Sequence, residues 1–154
     1  MAVDPAIRPR VRAMGTRHLI AMALLIPFLV TACGTSVFDL EVGQCFDDPD
    51  SFEAVADVDI VSCDQAHDNE VYAIEQISGG GNWPGQDLVA DAADEACLAA
   101  FEAYVGIDYL SSSFEIGWLA PTSDSWADGD REVVCFLFDP TLEPITGSVE
   151  DSGR

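Results

Sequence analysis

Asp87-Leu88-Val89-Ala90-Asp91-Ala92-Ala93-Asp94-Glu95-Ala96-Cys97-Leu98-Ala99-Ala100-Phe101-Glu102-Ala103-Tyr104-Val105 is the clearest element of the 154-residue chain. Val89, Ala93, Ala96, Ala100 and Tyr104 recur at helical spacing on one stripe, Cys97 lies at its border, and Asp87, Asp91, Asp94, Glu95 and Glu102 fall on the opposite side. The spacing predicts an amphipathic helix whose small-residue face lies close against a sheet. Asp87 and Asp91 suit the positive end of the helix dipole, and Gly106 follows as a stop. The acidic stripe reads as a solvated face.

Strands flank this helix on both sides. Val37 to Phe46, Val55 to Cys63 and Asn69 to Ile77 carry β-favouring or alternating residues, with Asp47-Asp48-Pro49-Asp50 as a turn. Gly79-Gly80-Gly81-Asn82 breaks the chain before the helix. It lacks the Lys and Ser or Thr of a phosphate loop and reads as a flexible connector. After the helix, Phe114, Ile116 and Trp118 alternate with Glu115 and Gly117, Ser123 to Trp126 reads as a short helical turn opened by a Ser cap, and Glu132 to Phe138 is apolar on both faces. A last extended piece is expected around Pro144 to Val149. The fold class is therefore α+β: a small antiparallel or mixed sheet of about five strands packed against one main helix.

The start of the chain has the parts of an export signal in order. Arg8, Arg10, Arg12 and Arg17 form a basic region, Leu19 to Val30 an apolar run interrupted by Pro27, and Thr31-Ala32 a small pair before Cys33. The run is short of the roughly 20 apolar residues of a permanent span. Val30-Thr31-Ala32-Cys33 resembles the lipobox of bacterial prolipoproteins, in which the Cys thiol carries diacylglycerol and becomes the new N-terminus. The expected organisation is a cleaved lipoprotein signal peptide at 1–32, a lipidated Cys33 with a short tether at 33–36, a folded domain at 37–149, and a frayed tail at 150–154. The expected location is the extracytoplasmic face of the cell membrane, held by lipid.

Setting Cys33 aside leaves Cys45, Cys63, Cys97 and Cys135, an even count that in an exported chain implies two disulfides. Three connectivities are open. Pairing Cys45 with Cys63 would join neighbouring early strands, and pairing Cys97 with Cys135 would pin the helix to the last strand, which is the arrangement we expect. The two bonds compensate for the modest core available to about 120 residues.

Charge restricts the partners. After Cys33 the chain has no Lys, and only Arg131 and Arg154 stand against 27 acidic residues, a formal charge of −25. Such a surface repels nucleic acid, whose binding depends on Lys and Arg at phosphates. It also repels an anionic leaflet within the Debye length of about 8 Å. The regular aromatic and aliphatic clusters argue against disorder despite the charge.

Several segments together carry a family likeness. Val42-Gly43-Gln44-Cys45-Phe46, Val61-Ser62-Cys63 followed by His67-Asp68-Asn69-Glu70-Val71-Tyr72, the Ala-rich helix with Cys97, and Pro121-Thr122, Trp126, Asp130-Arg131 and Val134-Cys135 are similar to the septum-formation domain of actinobacterial exported proteins. The resemblance implies a septum-formation-like domain over 37–149 and a link to cell division or the envelope. It implies no reaction and no cofactor.

The residues themselves point away from catalysis. No Gly-x-Ser-x-Gly is present, the cysteines are claimed by pairing, and His67 is the sole histidine after Cys33. Cys63-x-x-x-His67 has the look of half a zinc site, but in an oxidising compartment the disulfide takes Cys63, leaving His67 and Asp68 to order the turn into the third strand. Asp124, Asp128, Gly129, Asp130 and Glu132 resemble part of a calcium loop without its closing Glu, since Cys135 stands there. Loose screening by divalent cations needs no dedicated site.

The remaining handle is apolar surface. One helix covers one face of a sheet, so Val134, Phe136 and Phe138 with Phe114, Ile116 and Trp118 must partly meet loops, curl into a barrel or bind a partner. His67, Trp83, Trp118 and Phe136 are the candidate partner contacts. The sequence thus points to a non-catalytic binding or assembly module with an envelope or division protein as partner. The alternative is a small-ligand or cation-binding lipoprotein serving a transporter.

Overall fold

A computed structural model describes residues 34–49 and 55–154. Cys33 and the signal read in 1–32 lie outside the described residues. The elements run β1 (Thr35–Ser36), β2 (Cys45–Asp47), β3 (Asp57–Val61), β4 (Ala66–His67), β5 (Asn69–Gln76), α1 (Gln86–Val105), β6 (Glu115–Leu119), α2 (Ser123–Ala127), β7 (Glu132–Phe138) and β8 (Ile145–Thr146). Six strands form one antiparallel sheet in the order β1-β3-β2-β5-β7-β6, and β4 pairs with β8 separately. The expected α+β class holds, with six strands in the main sheet where about five were expected. Among the described residues, no helix is long and apolar enough to cross a membrane.

β7 lies second from one edge of the sheet, between β5 and β6, and its two apolar faces serve two cores. Val133, Cys135 and Leu137 join the cluster beneath α1, while Val134 joins Val37, Leu40, Phe46, Val58 and Val71 on the other side. β5 matches this alternation until a bulge. Val71 pairs with Phe136 and Ala73 with Cys135, so Tyr72 is the extra residue and both Tyr72 and Ala73 belong to the cluster under the helix. The face opposite the helix is closed by the N-terminal strands and by the 3-10 turn Val37–Asp39, which buries Val37.

Both disulfides have the expected pairing: Cys45–Cys63 at a Cα separation of 5.3 Å and Cys97–Cys135 at 5.4 Å. The second changes how α1 is set on the sheet. Its buried residues are Val89, Ala93, Cys97, Phe101, Tyr104 and Val105, so Cys97 is central in the stripe and Ala96 and Ala100 lie at its edge. Bonding to Cys135 and the larger area recovered by burying Phe101 turn the helix this way.

Three local expectations change. Residues 35–36, read as tether, form β1 opposite Asp57 and Val58, because extended backbone beside an unpaired β3 edge gains hydrogen bonds. The tail at 150–154, expected to fray, docks on the end of α1: Asp151 N donates to Tyr104 O, Gly153 N donates to Val105 O, and Arg154 lies over Phe114. Those carbonyls have no partner within the helix, which is why a passing strand of backbone is held there. Thr122, not Ser123, caps α2, in a reciprocal box with Ser125.

The glycine connector is pinned. Trp126 Nε1 and Arg131 Nη2 both donate to Gly80 O, at 3.1 and 2.8 Å, and the Arg131 guanidinium sits 3.5 Å from the Trp126 ring centre. A Cβ on Gly79 would lie 2.4 Å from Trp126, which is only 2 % exposed and has nowhere to move. Gly79→Ala should therefore destabilise the protein by about 1–3 kcal/mol. Urea unfolding followed by Trp fluorescence checks this, and an unchanged midpoint would mean that the connector yields freely.

Candidate functional site

Two places in the domain concentrate chemistry. The first is a buried polar cluster at the start of β5. Glu70 is fully buried and accepts three hydrogen bonds: Oε1 from Tyr104 Oη of α1 at 2.7 Å and from Ser148 Oγ at 2.6 Å, and Oε2 from Val149 N at 2.9 Å. The carboxyl group thus ties a strand, the helix and the C-terminal segment at one point. Burial, and then the bond to Glu70, raise the Tyr104 hydroxyl well above its ordinary range. Burial does the same to Tyr72, whose hydroxyl donates to Cys97 O.

His67 lies beside this cluster, 1 % exposed. Its Nδ1 is 2.9 Å from Gln65 O, and a carbonyl only accepts, so Nδ1 carries the proton and the buried Nε2 is left without a partner. Cys45 Sγ, an imidazole nitrogen of His67 and a Glu70 oxygen lie within 4.8 Å of one another. Cys45 and Cys63 are bonded to each other, so neither offers a thiolate, and the group falls short of the four donors of a structural zinc site. His67 and Asp68 instead order the entry to β5: His67 pairs with Ile145, and Asp68 Oδ2 accepts from Asp48 N at 3.0 Å.

The second place is a cavity of about 300 Å³ on the sheet face opposite α1. Phe136 and Phe138 of β7 and Asn69 of β5 line it together with Asp48 and Asp68, and the β7–β8 loop closes it with Asp139, Leu142 and Glu143. Phe136 is fixed by two neighbours. Phe46 meets it edge-on at 5.5 Å, and on β6 Gly117 stands opposite it in register, where a Cβ would fall 2.4 Å from its ring. Asp139-Pro140-Thr141-Leu142 is a β-turn closed by Leu142 N donating to Asp139 O at 2.8 Å. Bonds from Thr141 hold the Asp139 carboxyl below the usual carboxylate range.

The four candidate contact residues lie apart. Phe136 lines the cavity, half-buried, and His67 faces the interior. Trp83 is half-buried and stands edge-on to Trp126 at 5.5 Å, packed on the helix-side core. Trp118 donates from Nε1 to Asp94 Oδ1 of α1 at 2.6 Å and borders a separate cavity of about 310 Å³. Asp94, read as solvated, is thus engaged. Sequence reasoning passed over Glu70, although a carboxylate preceding Val71 and Tyr72 in a strand apolar on both faces is a signal in itself. Asp139, Leu142 and Glu143 carry no such signal, because only the turn brings them over Phe138.

The geometry defines a disulfide-pinned α+β domain with an aromatic cavity and a buried polar tie. A family model for septum formation matches residues 42–152, and the chain belongs to that family, whose name links it to cell division or the envelope. No curated protein and no solved structure matches the chain.

Glu70→Gln keeps one acceptor oxygen and replaces the other with an NH2 group, so at least one of the three donors meets a donor. It should cost about 2–3 kcal/mol and release the C-terminal segment first. Hydrogen exchange at Val149 and Asp151 should accelerate before global unfolding; unchanged protection there would show that the tie is not needed. A tyrosine whose folded pKa lies above its unfolded value near 10 contributes stability that is complete below pH 10 and lost as the pH rises through the folded value. Folded protein should therefore develop tyrosinate absorbance later than urea-unfolded protein and lose stability above pH 10, and coincident titration of the two states would contradict this.

Proposed function

We propose that the protein is a lipid-anchored, extracytoplasmic binding module of the cell envelope that engages a protein partner and performs no reaction of its own. The cavity over Phe136 and Phe138 is the observation that carries this reading: aromatic surface remains open there on the face opposite α1. The N-terminal Arg-rich and apolar run ending in Cys33 supports the anchor, and the family supports the envelope setting. Anchoring through lipid suits a surface this acidic, since the domain itself has no attraction for anionic headgroups.

Two measurements in cells test it. Cys33→Ser should move the folded protein, with both disulfides intact, out of the membrane fraction; a variant still in that fraction would remove the lipid anchor from the account. A photoreactive residue replacing Leu142 at the cavity mouth should give discrete protein adducts, while one replacing exposed Leu98 on α1 should not. Adducts to lipid alone, or the same adducts from both positions, would defeat the binding module.

A further inference from the structure

The composition of the Phe136–Phe138 cavity restricts what it can hold. Its floor is aromatic, and four carboxylates, those of Asp48, Asp68, Asp139 and Glu143, stand around it. Asp48 Oδ1 accepts from Asn69 Nδ2 at 2.8 Å, Asp68 Oδ2 from Asp48 N, and Asp139 Oδ1 from Thr141; each carboxylate keeps further acceptor positions. No cation of the described chain lines the cavity. Arg131 lies on Trp126; Arg154 lies on Phe114, from where its charge also acts on Asp139.

An apolar base with a negative mouth disfavours anionic lipid headgroups and acidic peptides. It suits a cation on an aliphatic stem, whose methylenes lie on the rings while the charge reaches the rim. Lys and Arg side chains have that form. About 300 Å³ is the lower end of small-ligand sites and fits one such side chain better than a larger molecule. A second copy of this chain is disfavoured by its net charge.

Leu142 supplies an independent observation. It is held at φ 60°, where a residue with a Cβ costs about 1–2 kcal/mol, and it is 76 % exposed at the cavity mouth. An apolar side chain presented to water gains when another apolar group covers it. The cation's neighbour in a peptide is placed to do so.

We infer that the cavity receives a Lys or Arg side chain, flanked by an apolar residue, from an exposed segment of a protein partner. This rests on the binding-module reading and names the chemistry of the partner. Charge complementarity at the rim sets which segments are accepted, and Leu142 with the two rings supplies the contact area.

The test is selection of a phage-displayed random heptapeptide library on the full chain in detergent. Lys or Arg beside a large apolar residue should be enriched at least about fivefold over the unselected library. Because so acidic a protein attracts basic peptides generally, two variants of equal charge are compared. Asp139→Asn/Glu143→Gln should abolish the enrichment, Asp87→Asn/Asp91→Asn on α1 should retain it, and Leu142→Asn should remove the apolar preference. Equal loss in both charge variants, or no loss in either, would mark non-specific attraction and overturn the inference. Enrichment of apolar peptides without a cation would overturn it while leaving the binding module standing. No enrichment, together with protein adducts from position 142 in cells, would likewise defeat only the cation; failure of both would defeat the binding module as well. Displacement of the selected peptides by spermidine equally from wild type and Leu142→Asn would point to a small free cation and also overturn it.

Discussion

The Glu70 carboxyl group is the constraint around which the domain is assembled. A carboxyl group removed from water is costly unless its oxygens are served, and here no cation among the described residues serves them. Tyr104, Ser148 and Val149 do so together, and they come from the helix and from a segment more than seventy residues downstream of Glu70. The three donors reach the group only if α1 lies at one rotation on the sheet and the chain returns along it. The same return places β8 beside β4 and docks residues 151–153 on the open carbonyls of α1. The Cys97–Cys135 bond fixes the middle of the helix, and Glu70 fixes its end.

A chain this acidic must fold against its own repulsion, and the arrangement of polar and apolar groups shows how. Acids are spread over the exposed side of α1 and the loops, where water screens them. Both basic residues after Cys33 are used to cover aromatic rings, Arg131 on Trp126 and Arg154 on Phe114, instead of neutralising carboxylates in pairs. Aromatic surface and negative charge meet at both cavities: four carboxylates stand around Phe136 and Phe138, and two, Asp130 and Glu132, line the second beside Phe38 and Trp118.

Much of the fold was legible along the chain because its signals are local. The alternation in Glu132–Phe138 marked a strand buried on both faces, and the recurrence of Val89, Ala93, Ala96, Ala100 and Tyr104 marked a helix. Gly106 marked its end, and it adopts the left-handed conformation that a helix stop requires. The rotation of α1 was not legible, since Ala96 and Ala100 fit a small-residue face as well as Cys97 and Phe101 fit a larger one. Periodicity alone gives a helix an apolar side without saying which edge of it meets the sheet. The bulge at Tyr72 was hidden for a related reason: an extra residue in a strand leaves no mark when both faces are apolar.

The sequence by itself determined the class of fold, the set of four cysteines that pair and the acidic charge, because composition and short-range spacing carry these directly, while the family came from the likeness of its motifs. Tertiary structure decided what the polar residues inside and the apolar residues outside are for. Glu70 and Ser148, or Asp48 and Glu143, are distant in sequence, and no periodic signal connects them. Only the antiparallel register and the path of the β7–β8 loop bring such groups together, and hydrogen bonding acts only at short range while charge is strongest there.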